Sequence, residues 1–268
     1  MIQSPFLARQ EHFAVVGSTN DVVRGWLADG VPEVCLAVAE EQSAGRGREG
    51  RTWTAPAGNA LLLSLGFRPT WLAPGKVWRL PAVVSLAMAE AGESVAGLVR
   101  GAIRLKWPND LVIEGDGGVR KLAGVLGETD GLGTDDPRAV IGIGINTDWP
   151  ADKFPADLAA TMTSLGAAGS RRIFEVEVLG IFLASLEPRI DALRAGRFDA
   201  PEYRDRQLTD GRLVRLTSHD RSAEVVRAVR VDPDTGALVV ASADVGAPGV
   251  DRHVFSGEIQ HLRLEPGV

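Results

Sequence analysis

The chain has 268 residues, 45% of them apolar, and a formal net charge of −6. This length is enough to bury one large core or two smaller ones, and the negative charge argues against a protein that coats nucleic acid through a basic surface. No apolar run is long enough to span a bilayer, and the first residues lack the basic and apolar regions of a secretory signal. We therefore expect a soluble, cytoplasmic protein that does not enter membranes.

The first part of the chain alternates strand and helix signals. Ser18 is a natural N-cap for a helix whose apolar residues recur at helical spacing from Val22 onward. The run at 34–40 is typical of a buried strand, and Cys35 within it is expected to be a core residue that forms no disulfide. Further strands are predicted at 59–67, 103–107, 111–114, 121–128 and 140–146, and helices at 77–98, 172–194 and 200–206.

The pattern changes after Leu208. Short β runs separated by turn residues are predicted at 213–217, 224–231, 237–241, 253–256 and 259–264. This pattern is typical of a small barrel-like module. The switch of periodicity predicts two domains, which cover residues 1–207 and 208–268.

Residues 40–53 are the most informative stretch. Three arginines, Arg46, Arg48 and Arg51, are separated by glycines and followed by Trp53. Glycine allows a backbone to come close to a ligand, and arginine offers a fixed fork of donors that fits phosphate or carboxylate oxygens. The stretch therefore predicts a flexible loop that closes over an anion. A solvated surface turn is the other interpretation.

The glycines of this loop also match the dinucleotide fingerprint Gly-x-Gly-x-x-Gly, which requires a helix directly after it. The sequence that follows is Ala55-Pro56-Ala57-Gly58, which does not carry a helix. Three guanidinium groups would also crowd the start of such a helix. We therefore reject a Rossmann site.

Other candidate site residues are few. The four histidines have no metal-ligand spacing, and no nucleophile system of the Ser-His-Asp or Cys-His type stands out. The chain has only four lysines, and two of them, Lys106 and Lys121, fall within one short window. This clustering indicates positions where a compact ammonium is needed, with chance as the alternative.

Four segments stand in order over residues 17–146. They are Ser18-Thr19-Asn20, the stretch from Gln42 to Trp53, Lys106-Trp107-Pro108-Asn109-Asp110 with 121–126, and Gly142-Ile143-Gly144-Ile145-Asn146. Together they resemble biotin–protein ligases, and Gly257-Glu258-Ile259 with Leu262-Arg263 resembles the end of that family's C-terminal barrel. The resemblance implies an α+β fold, in which a mixed β-sheet catalytic domain flanked by helices, of the class II synthetase-like biotin/lipoate ligase type, precedes a small Src-homology-3-like β-barrel.

The resemblance also implies a two-step reaction. Biotin and ATP, with Mg²⁺, give biotinyl-5′-AMP and pyrophosphate. A lysine of a biotin carboxyl carrier domain, part of a biotin-dependent carboxylase, then takes the biotinyl group and releases AMP. Because Mg²⁺ usually uses few protein carboxylates beside the phosphates, the lack of an acidic cluster is compatible with it.

The family's site residues transfer to matching positions of this chain. The resemblance makes Lys121 the catalytic centre, assisted by Arg46 and Arg48. It implies that biotin is bound by Ser18, Thr19, Asn20, Gln42, Gly45, Arg46, Lys121, Gly124 and Leu126. It implies that the nucleotide is bound by Arg48, Arg51, Trp53, Asn109, Asn146 and Arg263.

Each transferred residue also has a structural interpretation. The polar residues at 18–20 could only cap a helix, and Trp53 could be a core aromatic residue. Asn109 could only form a turn, Asn146 could only end its strand, and Gly124 could mark a bulge. Within the loop, Glu49 places an acid among the arginines and is expected to weaken their attraction for phosphate.

Two further expectations concern partners. Only 16 residues precede Gly17, which leaves no room for the N-terminal helix-turn-helix of some relatives, so no DNA binding of that kind is expected. A homodimer through the edge of the sheet is possible in this family. The competing functions are a lipoate or octanoate ligase, and a non-catalytic sensor of biotinyl-adenylate.

Overall fold

A computed structural model describes residues 4–115, 117–218, 220–243 and 251–261. The strands are β1 Arg9–Val16, β2 Cys35–Gln42, β3 Ala60–Phe67, β4 Ile103–Lys106, β5 Asp110–Gly115, β6 Gly118–Asp130, β7 Arg138–Asn146, β8 Leu213–Thr217, β9 Ala223–Val231, β10 Leu238–Ser242, β11 Arg252–Val254 and β12 Glu258–His261. The helices are α1 Thr19–Ala28, α2 Arg79–Ala96, α3 Leu165–Gly169, α4 Glu175–Arg194 and α5 Ala200–Asp205. Short 3₁₀ turns lie at Arg48–Gly50, Pro74–Lys76 and Ala151–Lys153.

The first seven strands form one mixed sheet in the order β1-β2-β3-β7-β6-β5-β4. Only β1 and β2 are parallel, and every other neighbouring pair is antiparallel. Strand β3 is buried along its whole length, as expected of a strand covered on both faces. The mixed sheet predicted for the catalytic domain is confirmed.

Helices cover both faces of this sheet. Along β2 the side chains alternate, so that Cys35 and Ala37 pack with α1 while Leu36 and Val38 join the larger core. Helices α2 and α4 pack against each other on that second face. Nearly all of α2 is buried, and it ends at Gly97, whose φ of +68° provides the left-handed cap.

The last five strands form a second, antiparallel sheet in the order β11-β10-β9-β8-β12. This is consistent with the predicted small barrel. Its inner residues Val214 and Leu216 belong to the same apolar cluster as α2 and α4. A buried ion pair between Arg206 and Glu93, with Nη1 and Oε1 2.8 Å apart, fixes the chain just before this sheet begins. The boundary at 207/208 stays a prediction.

Most predicted elements are present, and their ends differ from the prediction by at most three residues. Residues 262–264 of the last predicted strand lie outside the described residues. Strand β1 and the short helix α3 were not predicted, because β1 alternates weakly and α3 has only five residues. Ser18 precedes α1 as predicted, but its side chain makes no cap hydrogen bond. Cys35 is buried as expected, and burial raises its pKa to about 11. Within the described ranges, no helix combines the length and apolarity that crossing a membrane requires.

Candidate active site

One cavity of about 1040 Å³ brings most of the predicted site residues together. It lies beside α1, over β6 and β7, and reaches the second sheet. The predicted residues that line it are Ser18, Thr19, Asn20, Gln42, Arg46, Arg48, Arg51, Trp53, Asn109, Lys121, Gly124 and Leu126. These residues come from five stretches of the chain, 18–20, 42, 46–53, 109 and 121–126, and face one space, which is large enough for a ligand of two joined parts.

A buried polar cluster forms one end of the cavity. The Gln42 Oε1 atom accepts hydrogen bonds from the backbone N of Thr19 at 2.8 Å and from its Oγ1 at 3.0 Å. The hydroxyl of Ser64, fully buried on β3, lies 2.7 Å from Thr19 Oγ1 and 2.5 Å from Asn20 Oδ1. Asn20 in turn donates to Glu128 at 2.6 Å. The start of α1 therefore presents short polar side chains that are already held in place by one another.

Glycines keep the floor of the cavity open. A Cβ on Gly142 of β7 would lie 2.3 Å from Asn20 Oδ1. A Cβ on Gly144, two residues along the same face, would lie 2.6 Å from the Trp53 ring, and one on Gly124 of β6 would lie 3.1 Å from it. A larger residue at Gly142 or Gly144 would clash, and one at Gly124 would crowd the Trp53 ring, because polar and aromatic side chains pack directly on the strands.

The arginine–glycine loop, residues 45–53, folds as a narrow hairpin. Trp53 N donates to Gly45 O at 3.0 Å, and Gly47 N donates to Arg51 O at 2.6 Å. A Cβ on Gly45 would lie 2.4 Å from Trp53 O, so this position requires glycine. Gly45 shapes the hairpin and does not line the cavity. Glu49, at its tip, is exposed and has a φ of +57°.

The three arginines of the loop have different partners. Both terminal nitrogens of Arg46 donate to Asp21. Arg48 donates to Gly257 O at 3.4 Å, and Arg51 pairs with Glu258. Burial lowers the pKa of the Arg48 guanidinium. The loop is thus held at one side by α1 and at the other by the second sheet.

Lys121 lines the cavity. Its Nζ is 2.7 Å from Asp110 Oδ1 and 5.4 Å from the centroid of the Trp53 ring. The backbone of Lys121 pairs with the segment 161–163, through bonds of 2.7 Å to Thr161 O and 2.8 Å from Thr163 N. Lys121 is therefore fixed at its backbone and carries its charge into the cavity.

The remaining predicted residues have distinct positions. Asn109, which directly precedes β5, donates its side-chain amide to Val125 O of β6 at 2.8 Å. Asn146 does not line the cavity: it is buried and donates to Thr163 O at 2.9 Å, so it holds the segment that supports Lys121. The Trp53 Nε1 atom is buried and has no hydrogen-bond partner among the described residues. Arg263 lies outside the described residues.

Three residues that shape the cavity had no predicted role in the site. Asp110 and Ser64 pair with predicted site residues, and Glu128 connects Asn20 to the loop. Lys106 was predicted only as a position where a compact ammonium is needed. Burial lowers the pKa of Lys106, which lines the cavity beside Asp110. Ser64 had a usable signal, since it is a lone hydroxyl in an otherwise apolar buried strand. Glu128 had none, because an acid near the end of a strand is usually a solvated residue.

The described residues contain no group of three or more His, Cys, Asp or Glu side chains that could hold a metal ion. Each of the three carboxylates in the described lining of the cavity already has a cationic partner, and that of Glu258 is Arg51. Asp110 pairs with Lys121 at 2.7 Å, and Glu114 pairs with Arg212 at 2.6 Å. These side chains do not form a resident metal site.

Several known proteins are similar to this chain. A model of the Biotin/lipoate A/B protein ligase family matches residues 12–146. The biotin–[acetyl-CoA-carboxylase] ligase of Mycobacterium tuberculosis is 33% identical over 253 residues, covering 93% of this chain and 88% of that protein. This chain therefore belongs to the biotin/lipoate A/B protein ligase family, as its motifs predict.

Two further proteins illustrate the breadth of the similarity. The bifunctional ligase/repressor BirA of Bacillus spizizenii is 33% identical over 175 residues, so the match spans 65% of this chain and only 51% of that protein. The solved structure of biotin protein ligase from Aquifex aeolicus in complex with biotin and ATP superposes with a TM-score of 0.76 at 24% identity, covering 96% and 99% of the two chains. The latter similarity confirms the predicted fold.

Proposed function

We propose that this protein activates biotin with ATP and transfers the biotinyl group to a lysine of a biotin carboxyl carrier domain. Family membership supports this proposal. The observation that carries it is the cavity that Lys121 lines together with the polar cluster at the start of α1 and the arginine–glycine loop.

In the first step, a carboxylate oxygen of biotin attacks the α-phosphorus of ATP. The bond from phosphorus to the bridging oxygen breaks, and pyrophosphate leaves. Both reactants are anions, so cations must hold them together and stabilise the charge that develops on the α-phosphate. Lys121 and Arg48 are the proposed cations, and Mg²⁺ enters as the counter-ion of the ATP phosphates.

The polar cluster suits the ring of biotin. A ureido group has both donors and acceptors, and each one left unpaired in a buried site costs about 1–3 kcal/mol. Thr19, Asn20 and Gln42 offer short side chains for these bonds. The glycine floor at Gly124, with Leu126, would accept the apolar part of the molecule.

The other half of the cavity suits the nucleotide. Arg51 is exposed and pairs with Glu258, a partner that a phosphate could replace. Trp53 offers a ring face for a base and a buried N–H that has no acceptor in the described part of the chain. Asn109 lines the same region, and Asn146 and Arg263 stay predicted nucleotide contacts.

In the second step, the neutral amine of the carrier lysine attacks the carbonyl carbon of biotinyl-5′-AMP. The carbon–oxygen bond to the phosphate breaks, AMP leaves, and the amine releases one proton. The same cations that assisted the first step would stabilise the departing phosphate.

Two assays on the purified protein test the proposal. Biotin should stimulate exchange of labelled pyrophosphate into ATP, and lipoate should not. With ATP, biotin and an acceptor carrier domain, the carrier should become biotinylated at a single lysine. Exchange driven by lipoate would indicate the other branch of the family. Formation of the adenylate without labelling of any carrier would indicate a sensor, and no adenylate at all would refute the proposal.

A further inference from the structure

Asp21, in the first turn of α1, makes a bidentate contact with the first arginine of the loop. Its Oδ2 atom accepts from Arg46 Nη1 at 2.7 Å, and its Oδ1 accepts from Nη2 at 2.6 Å. Two parallel N–H···O bonds fix the orientation of a guanidinium as well as its position. An acidic residue at this place also favours the start of a helix.

A second carboxylate approaches the same guanidinium. Glu128 on β6 lies 3.6 Å from Arg46 Nη2 and 2.8 Å from Arg24 Nη2. Arg24 also lies 3.3 Å from Asp21. Two acids and two arginines therefore form a closed network that connects α1, β6 and the loop.

This network continues into the polar cluster. Glu128 accepts from Asn20 Nδ2 at 2.6 Å, and Asn20 accepts from the buried Ser64. The side chains proposed to read the biotin ring are thus joined through Glu128 to Arg46, at the start of the loop. Arg51 instead contacts Glu258 of the second sheet, and Arg48 contacts Gly257, the residue before it.

We propose that Asp21 is a positioning residue, which holds Arg46 and so anchors the arginine–glycine loop against α1 before ligands bind. Arg46 then acts as the fixed end of the loop, whereas Arg48 and Arg51 are left to meet the phosphates. The inference rests on the proposed function, because it assigns a role within that reaction. Its first test needs no substrate.

The first test measures trypsin cleavage after Arg51 in the free protein, followed by mass spectrometry. Exposed ion pairs contribute about 0.2–1 kcal/mol, so Asp21→Asn should raise the cleavage rate by up to about fivefold at low salt. Asp21→Glu should restore most of the protection. Arg24→Gln is the matched control, since it removes a cation of the same network that is not part of the loop, and it should leave the rate near that of the parent.

The second test follows the reaction. Asp21→Asn should raise the KM values for biotin and ATP by up to about fivefold and leave kcat unchanged, because the chemistry at Lys121 is untouched once the loop is closed. In a double-mutant cycle, Asp21→Asn and Arg46→Gln should be non-additive, since each removes the same contact.

Several results would overturn the inference. Unchanged cleavage in Asp21→Asn, equal loosening by Arg24→Gln, or additive effects in the cycle would each show that Asp21 does not hold the loop. A fall in kcat without a change in KM would point to a role in the chemistry instead. If the parent forms no adenylate, the proposed function is refuted. The cleavage experiment still tests whether Asp21 holds the loop, because it needs no substrate.

Discussion

At the scale of single residues, the proposed role of Lys121 depends on the side chains that surround its ammonium group. Asp110 neutralises it at 2.7 Å, and the face of Trp53 is close enough for a cation–π contact. Both neighbours are side chains that an incoming anion could displace or rearrange. The backbone pairing with 161–163 holds Lys121 in place meanwhile. The backbone of Lys121 is thus fixed, while the side chains around its ammonium group can rearrange when a ligand binds.

Lys121→Ala should lower the rate of adenylate formation by about a hundred- to a thousandfold. The physical reason is the loss of charge stabilisation in the transition state, worth about 3–4 kcal/mol. Biotin-dependent pyrophosphate exchange measures the rate. Lys76→Ala is the control, because Lys76 contacts Asp234 outside the cavity and should retain activity. Near-normal exchange in Lys121→Ala would remove this residue from the proposed mechanism.

At the scale of secondary-structure elements, the site depends on how closely α1 approaches the sheet. Gly142 and Gly144 on β7 leave space for Asn20 and Trp53, respectively. The glycines alternate with the buried Ile141, Ile143 and Ile145, which face the larger core. One strand therefore serves as a core element on one face and as a ligand floor on the other.

Gly142→Ala should weaken biotin binding by about 1–3 kcal/mol, since the new Cβ would push Asn20 from its bonds with Ser64 and Glu128. Titration calorimetry with biotin would measure the loss. Gly127→Ala on the adjacent β6 provides the control, because its Cβ would meet nothing nearer than Ile141 Cδ1 at 3.5 Å. Equal biotin affinity in both variants would contradict the proposed place of Asn20 in the site.

At the scale of the whole molecule, the second sheet is tied to the first part of the chain. Arg212 makes two bonds to Glu114, at 2.6 and 2.8 Å, and Trp107 Nε1 donates to Gly236 O at 3.2 Å. Because Arg212 and Glu114 also line the cavity, its wall is continuous across both sheets. We therefore expect loss of the second sheet to open the nucleotide half of the site.

Asp210, where the chain enters the second sheet, should make stability depend on pH. Burial raises its pKa from 3.8 to about 6, so the folded protein holds a proton that the unfolded chain releases between these values. Asp210 therefore costs stability increasingly as pH rises from about 4 to 6, and the cost is constant above. Two pKa units correspond to about 3 kcal/mol, an upper bound for this partly exposed group.

Asp210→Asn should accordingly raise the melting temperature at pH 7.5, and the gain should vanish below about pH 4. Its amide oxygen can still accept from Val231 N, as the carboxylate does at 2.9 Å. Asp220→Asn should instead lower the melting temperature at pH 7.5. Hydrogen bonds from Ser222 lower the pKa of the Asp220 carboxylate, so this carboxylate stabilises the folded protein above about pH 4 and not below it. A gain for Asp210→Asn that did not change with pH would contradict this account.

Much of the fold was predictable because its signals are local. Hydrophobic periodicity located strands β2 to β7 and helices α1, α2 and α4, and the change of pattern after Leu208 located the second sheet. Strand β1 was not predicted because none of its residues is buried and it is held in the sheet by pairing with β2, 26 residues away at Arg9↔Cys35. The family and its motifs were also readable, since short segments carry them.

The sequence by itself determined which groups are present: a loop of glycines and arginines, a pair of lysines, polar residues at a helix start, and glycines along one strand. Only the tertiary structure decided which of these meet. Arg46 and Asp21 are 25 residues apart, Asn20 and Glu128 are 108 apart, and Arg48 and Gly257 are 209 apart. Local patterns record the conformation of a segment, whereas contacts between distant segments depend on how the sheet orders its strands and how closely the helices pack upon it.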